Sequence, residues 1–135
     1  MSDSLHFELV SPERLLKDME AVSVVVPGAD GDFGVLPNHA PVMSSLRPGV
    51  LEISADETSE PELLFLKGGL AQISAEGLTI LAEEAIDLAS VDSDDLAKKL
   101  ADVREDIEDA SDDVEKIRLQ KEEAWMVALQ ETVSA

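Results

Sequence analysis

All seven Gly and all six Pro of the 135-residue chain lie within residues 1–88, and residues 89–135 contain neither. Gly supplies backbone conformations that other residues resist, and Pro removes a backbone donor. Both punctuate turns, and both are costly inside helices. This segregation divides the chain into a turn-rich part, residues 1–88, and a part free of helix breakers, residues 89–135. Charge does not mark the same boundary: the first part holds 4 basic and 16 acidic residues, net -12, and the second 6 and 14, net -8.

The first part reads as short strands between turns. Leu5, Phe7 and Leu9 alternate with His6 and Glu8, the period of a half-buried strand that leaves His6 simply exposed. Ser11-Pro12-Glu13 is a turn signal, and the β-branched run Val22-Ser23-Val24-Val25-Val26 is expected to stop at Pro27-Gly28. Val50-Leu51-Glu52-Ile53 follows the turn Arg47-Pro48-Gly49, and Leu63 to Leu66 runs up to Gly68-Gly69. Leu70–Ile73 and Leu78–Leu81 flank Ser74-Ala75-Glu76-Gly77, the pattern of a hairpin. Turn signals at this spacing predict an all-β sandwich or barrel.

The second part reads as two helices. Leu96, Leu100, Val103, Ile107 and Ala110 form a narrow apolar stripe, with Ser93 as the expected cap and Asp94 and Asp95 in the first turn. Ser111-Asp112 breaks the pattern and offers a fresh cap. The second helix carries two thin seams. One is Val114, Ile117, Ala124 and Ala128, interrupted by Lys121; the other is Leu119, Met126, Leu129 and Val133, interrupted by Glu122. A hairpin of two helices of about 18 residues, each roughly 27 Å long, is marginal alone and needs a surface to lie against. A mobile appendage and a permanently packed hairpin both fit this pattern.

Composition narrows the function. With 10 Lys+Arg against 30 Asp+Glu, the formal net charge is -20. Recognition of nucleic-acid phosphates and adsorption to anionic lipid both need clustered cations, so neither partner is expected. Without Cys there is no disulfide, thiol nucleophile or thiolate metal site, and two His make a histidine metal site unexpected. Hydrophobic residues are 44% of the chain, enough for a core. No apolar run reaches the ~18 residues of a membrane span, and Met1–Ser4 lacks the basic and apolar regions of a signal peptide. These features predict a soluble protein of a reducing compartment.

Catalytic motifs are not apparent. Asp30-Gly31-Asp32 begins like a calcium loop, but the further oxygen ligands and closing Glu are missing, which leaves a turn. Gly28, Gly31 and Gly34 have the wrong spacing for a dinucleotide fingerprint, and Lys67-Gly68-Gly69 the wrong order for a phosphate loop. His39, in Pro37-Asn38-His39-Ala40-Pro41, would need an orienting acid to act as a base, and Asp32 is a candidate by sequence distance only. Glu83-Glu84 point to opposite faces of a strand. No metal or cofactor is expected, and the residues read as an interaction module rather than an enzyme.

The segment Gly31-Asp32-Phe33-Gly34-Val35-Leu36-Pro37-Asn38-His39-Ala40-Pro41 resembles the signature loop of the epsilon subunit of the F-type, proton-translocating ATP synthase. Leu5–Pro12 resembles that family's opening strand, Leu46-Arg47-Pro48-Gly49 its next loop, and Gly68-Gly69 and Leu81-Ala82-Glu83 its later β signals. The resemblance implies an N-terminal β-sandwich of about ten strands, residues 1–88, and a C-terminal antiparallel helical hairpin, residues 89–135. It implies a non-catalytic rotor subunit that binds the gamma subunit and the c-ring and couples proton-driven rotation to ATP synthesis. It implies a peripheral position on the cytoplasmic face of an energy-coupling membrane, such as a bacterial inner membrane, without lipid insertion. Gly31, Asp32, Gly34, Asn38 and His39 correspond to the family's c-ring-facing loop. Gly31 and Gly34 would keep the backbone close, with Phe33, Val35 and Leu36 packed beneath it.

Two departures limit the carry-over. Some bacterial members bind ATP through an Ile-Asp-x-x-Arg-Ala motif. Here the stretch is Val91-Asp92-Ser93-Asp94-Asp95-Leu96, with Asp95 where Arg is expected, so no ATP binding is predicted. The arm of the family faces the catalytic beta subunit through basic residues. Lys116, Arg118 and Lys121 correspond, but Asp112, Asp113, Glu115, Glu122, Glu123 and Glu131 outnumber them, which predicts weak or absent inhibition of ATP hydrolysis. Two rival readings are a free-standing inhibitory or regulatory protein and a small enzyme using Asp32 and His39.

Overall fold

The computed structural model describes residues 4–134. The protein forms two compact units, divided after Asp87. Ten strands make up the first: β1 (Leu5–Val10), β2 (Leu15–Ala21), β3 (Ser23–Gly28), β4 (Gly31–Val35), β5 (Val42–Leu46), β6 (Gly49–Ser54), β7 (Glu62–Leu66), β8 (Gly69–Ile73), β9 (Gly77–Ala82) and β10 (Ala85–Asp87). A 3-10 turn (Leu88–Ser90), α1 (Ser93–Asp109) and α2 (Asp113–Ser134) make up the second.

The strands follow the order β10-β7-β6-β3-β5-β8-β9-β1-β2, with β4 on β3. All pairs are antiparallel except β1 with β9. A single pair, Gly28↔Leu46, links the β4-β3-β6-β7-β10 run to the β5-β8-β9-β1-β2 run. Alternation then sends one apolar set from each run into a common core: Leu51, Ile53, Leu64 and Leu66 from the first, Leu5, Phe7, Leu9, Ile73, Leu78 and Ile80 from the second. The expected hairpin around Ser74–Gly77 is present, with Ile73 opposite Leu78.

The run beginning at Val22 does not end where Pro27-Gly28 led us to expect. Both residues belong to β3, paired with Asp32 and Gly31. Strand β6 has already left β3 at Val25↔Glu52, so the missing Pro27 N–H interrupts no ladder on that side. Four strands carried no clear sequence signal. β2 reads Leu-Leu-Lys-Asp-Met-Glu-Ala, a charged run without clean alternation, and is held by β1 through the turn in which the Ser11 N–H donates to the Arg14 carbonyl, 2.9 Å. β4, β5 and the three-residue β10 are short and partly exposed, so neighbouring strands define them more than their own pattern does.

Helix α1 is capped by Asp92, not Ser93. Asp92 Oδ1 accepts the Asp94 and Asp95 N–H groups at 3.0 and 3.1 Å, from an extended backbone (φ -96°, ψ 112°). Ser93 is already helical, and a cap must stand just outside the helix. Asp112 does the same for α2, accepting the Val114 N–H at 3.0 Å. Of the two α2 seams, Leu119, Met126 and Leu129 are buried, whereas Val114 and Ile117 are exposed. Glu122, the polar break in the buried seam, accepts the Trp125 indole N–H at 2.9 Å. The helices pair with one another, and Arg104 Nε meets Glu123 Oε2 across them at 3.0 Å.

Candidate subunit interface

The residues singled out at positions 31–41 build one exposed end of the β unit in two pieces. The first is the β3–β4 hairpin, turned by the two residues Ala29-Asp30, so Asp30-Gly31-Asp32 is a tight turn rather than a cation loop. Gly31 takes φ 139°, a conformation that only Gly adopts readily. Gly34 has no positive φ, and a methyl at either glycine would meet nothing within 4 Å, so the close backbone approach expected of the pair is found at neither. The second piece is the connection from Val35 to Val42. Pro37 followed by Asn38 at φ 64° is the pattern of a type II turn. The His39 Nδ1–H donates to the Ala40 carbonyl at 2.7 Å, which defines the tautomer.

The part that sequence reasoning passed over is Arg47, in the β5–β6 turn. Its Nη1 donates to the Gly28 carbonyl and its Nη2 to Asp32 Oδ1, both at 2.6 Å, while its backbone N–H donates to the Pro27 carbonyl at 3.0 Å. One guanidinium therefore ties the hairpin to the junction between the two strand runs. Asp32 is committed to Arg47 and His39 to its own loop, so the acid–base pair considered from sequence is not assembled. Both residues nevertheless line one shallow depression, together with Gly28, Asp30, Val42 and Met43.

Beneath this end Val35 is fully buried and Phe33 packs on the core, as expected. Leu36 does not join them: it is 60% exposed, because β4 ends at Val35 and the next residue turns outward. Met43 (63%) and Val42 (43%), which line the depression, give this end an exposed apolar component. Such residues, beside a rigid polar turn, suit contact with another protein more than chemistry on a small molecule.

The basic residues of the arm do not form one patch. Arg118 and Lys121 are neighbours on α2 at i, i+3, but Lys116 lies about 140–160° around the helix from both. All three are exposed, and among the described residues none takes part in an ion pair.

Comparison with known proteins matches these two units to two family profiles. Residues 4–88 match the "ATP synthase, Delta/Epsilon chain, beta-sandwich domain", and residues 92–135 match the C-terminal domain of the ATP synthase epsilon chain. The ATP synthase epsilon chain of Maricaulis maris is 53% identical over 116 residues, spanning 86% of each protein. That of Rhodospirillum centenum is 48% identical over 124 residues, spanning 89% of this chain and 85% of the relative. The fold also resembles a subunit in the cryo-EM structure of the Euglena gracilis mitochondrial ATP synthase, OSCP/F1/c-ring. There the TM-score is 0.79 at 23% identity, over 99% of this chain and 82% of that one. A ten-stranded β unit followed by two helices, both profiles in that order, and relatives at this identity lead to one assignment: the chain belongs to the ATP synthase epsilon chain family.

Proposed function

We propose that the protein is a non-catalytic subunit of the rotor of a proton-translocating ATP synthase, coupling c-ring rotation to the gamma subunit. In this reading residues 1–88 bind gamma and the c-ring. The subunit is peripheral, at the cytoplasmic face of the membrane, and among the described residues no helix is long and apolar enough to cross it. The observation that carries the proposal is the exposed end of the β unit. Arg47 braces it, Gly31 and Asn38 set its two turns, and Asp32, His39, Val42 and Met43 line its surface. A coupling element must transmit torque without folding back, and a braced turn with a mixed polar and apolar surface meets that need. The curated relatives are named ATP synthase epsilon chain, and a Tetrahymena thermophila structure of similar fold is titled central stalk/c-ring, which supports the same reading.

The arm is a weak regulator in this proposal. Its basic groups are dispersed and outnumbered by carboxylates, and Asp92, Asp94 and Asp95 at the start of α1 present negative charge where a phosphate would have to bind. Because the protein has no Cys, His39→Cys creates a single attachment point. Cross-linking from it in the assembled enzyme should reach a c subunit while gamma copurifies. Cross-links confined to other subunits, or purification free of gamma, would refute the assignment and favour a free-standing regulator. Deleting residues 89–135 should leave ATP hydrolysis nearly unchanged, and a several-fold rise would contradict the weak-arm reading.

A further inference from the structure

We propose that His6 is a proton-operated clasp that holds the edge strand β2 against β1 on the outer face of the sheet. The inference is independent of the rotor reading. β2 ends the strand order and, among the described residues, pairs with β1 alone; beyond that ladder it is held by Leu16, Met19 and Ala21 at the core and by the Lys17–Glu62 ion pair, so its outer face depends on the side chains that cross to β1. Leu5, Phe7 and Leu9 point into the core, and alternation therefore turns His6 and Glu8 outward. Directly across the ladder stand Glu20 and Asp18. Glu8 opposite Asp18 is a like-charge cross-strand pair, an arrangement that destabilises a sheet unless a cation spans it.

The imidazole is that cation. Nε2 lies 3.2 Å from Glu8 Oε1 and 3.0 Å from Asp18 Oδ1, and Nδ1 lies 3.0 Å from Glu20 Oε2. Ser4 Oγ donates to the other Glu20 oxygen at 2.9 Å and holds that carboxylate in place. Only the protonated ring has an N–H for both sides at once; the neutral ring must abandon either Glu20 or the Glu8/Asp18 pair. The adjoining depression adds Glu76 from the β8–β9 turn, and no Lys or Arg lines it among the described residues. The nearest cation of β2, Lys17, is paired with Glu62 at 2.7 Å.

The sign follows from both partners. His6 is raised above 6.5, first by its hydrogen bond to Glu20; desolvation opposes this, and the charges of Asp18, Glu8 and Glu20 each add a smaller upward effect. Its contribution is complete below 6.5 and is lost as pH rises through the raised midpoint. Glu20 is lowered from 4.5, first by His6 and then by Ser4, so on the acid side the clasp is lost as pH falls through that lowered value. The clasp therefore releases when the surroundings turn alkaline.

An NMR titration of the full-length protein tests this. The His6 ring should titrate above 6.5, with the Asp18 and Glu20 amides moving at the same midpoint. Amide-exchange protection of the β1–β2 ladder, taken relative to β8–β9 at each pH, should fall roughly two- to fivefold across that midpoint. In His6→Gln this ratio should be flat with pH, and Glu20→Gln, which keeps the ring, should lower the His6 midpoint. A His6 midpoint at or below 6.5, or an unchanged pH dependence of the ratio in His6→Gln, would overturn the proposal.

Discussion

Replacing Arg47 by Ala removes two side-chain hydrogen bonds of unequal value. The bond to Asp32 joins side chains that are 41% and 57% exposed, where an ion pair contributes about 0.2–1 kcal/mol. The bond to the Gly28 carbonyl is partly buried and carries a charged donor, a type that contributes about 1.5–3 kcal/mol. Some of that is recovered by water, so we expect Arg47→Ala to cost about 2 kcal/mol and Asp32→Asn less than about 1 kcal/mol. With a urea slope of about 1–3 kcal/mol per M, the midpoint should fall by roughly 1 M for Arg47→Ala and by a few tenths for Asp32→Asn. Urea unfolding followed by circular dichroism measures both, and the double variant gives the coupling, which should not exceed ~1 kcal/mol. Arg47→Lys should rescue little, because an ammonium cannot reach Gly28 and Asp32 as one planar fork. If Asp32→Asn proved as damaging as Arg47→Ala, the bond to the Gly28 carbonyl would not be the main brace, and the reasoning would fail.

Three further predictions separate close alternatives. Asp92→Ala should destabilise the helical unit by about 1 kcal/mol while Ser93→Ala changes it by a few tenths, read by thermal unfolding; equal effects would contradict the cap assignment. Gly69 has φ 146°, and a methyl there would collide with the Leu81 carbonyl oxygen, so Gly69→Ala should cost about 3 kcal/mol or more, whereas Gly34→Ala should be neutral within ~0.5 kcal/mol. Asp56 accepts the Ser59 and Thr58 N–H groups, which with the two hydroxyls pull its carboxyl down to about 2. Its contribution to the β6–β7 loop is therefore present above 3.8 and lost as pH falls through about 2, and an NMR midpoint near 3.8 would count against the turn geometry.

The architecture was largely legible because it rests on local rules. Leu5, Phe7 and Leu9 show the period of a strand, Leu70–Leu81 the pattern of a hairpin, and residues 93–134 the spacing and freedom from breakers of two helices. Strands β2, β4 and β5 were not legible, since their exposed or charged residues acquire strand geometry only from a partner across the ladder. The candidate interface divided in the same way. Gly31 and Asn38 announce turns through their own backbone preferences, and both adopt positive φ. The roles expected of Gly34 and Leu36 depended on what surrounds them, and open space and exposure are what the fold provides.

Amino-acid order by itself determined the division into a β unit and a helical hairpin, the acidity of both, and the family loop at residues 31–41. Each of these is a property of residues a few positions apart. Tertiary structure alone decided that Arg47 braces Asp32 and Gly28, 15 and 19 residues away, and that His6 sits among Glu8, Asp18 and Glu20. Those contacts depend on strand order and register. A shift of one residue in the β1–β2 ladder would send His6 and the β2 carboxylates Asp18 and Glu20 to opposite faces, and no local pattern in the sequence records that choice.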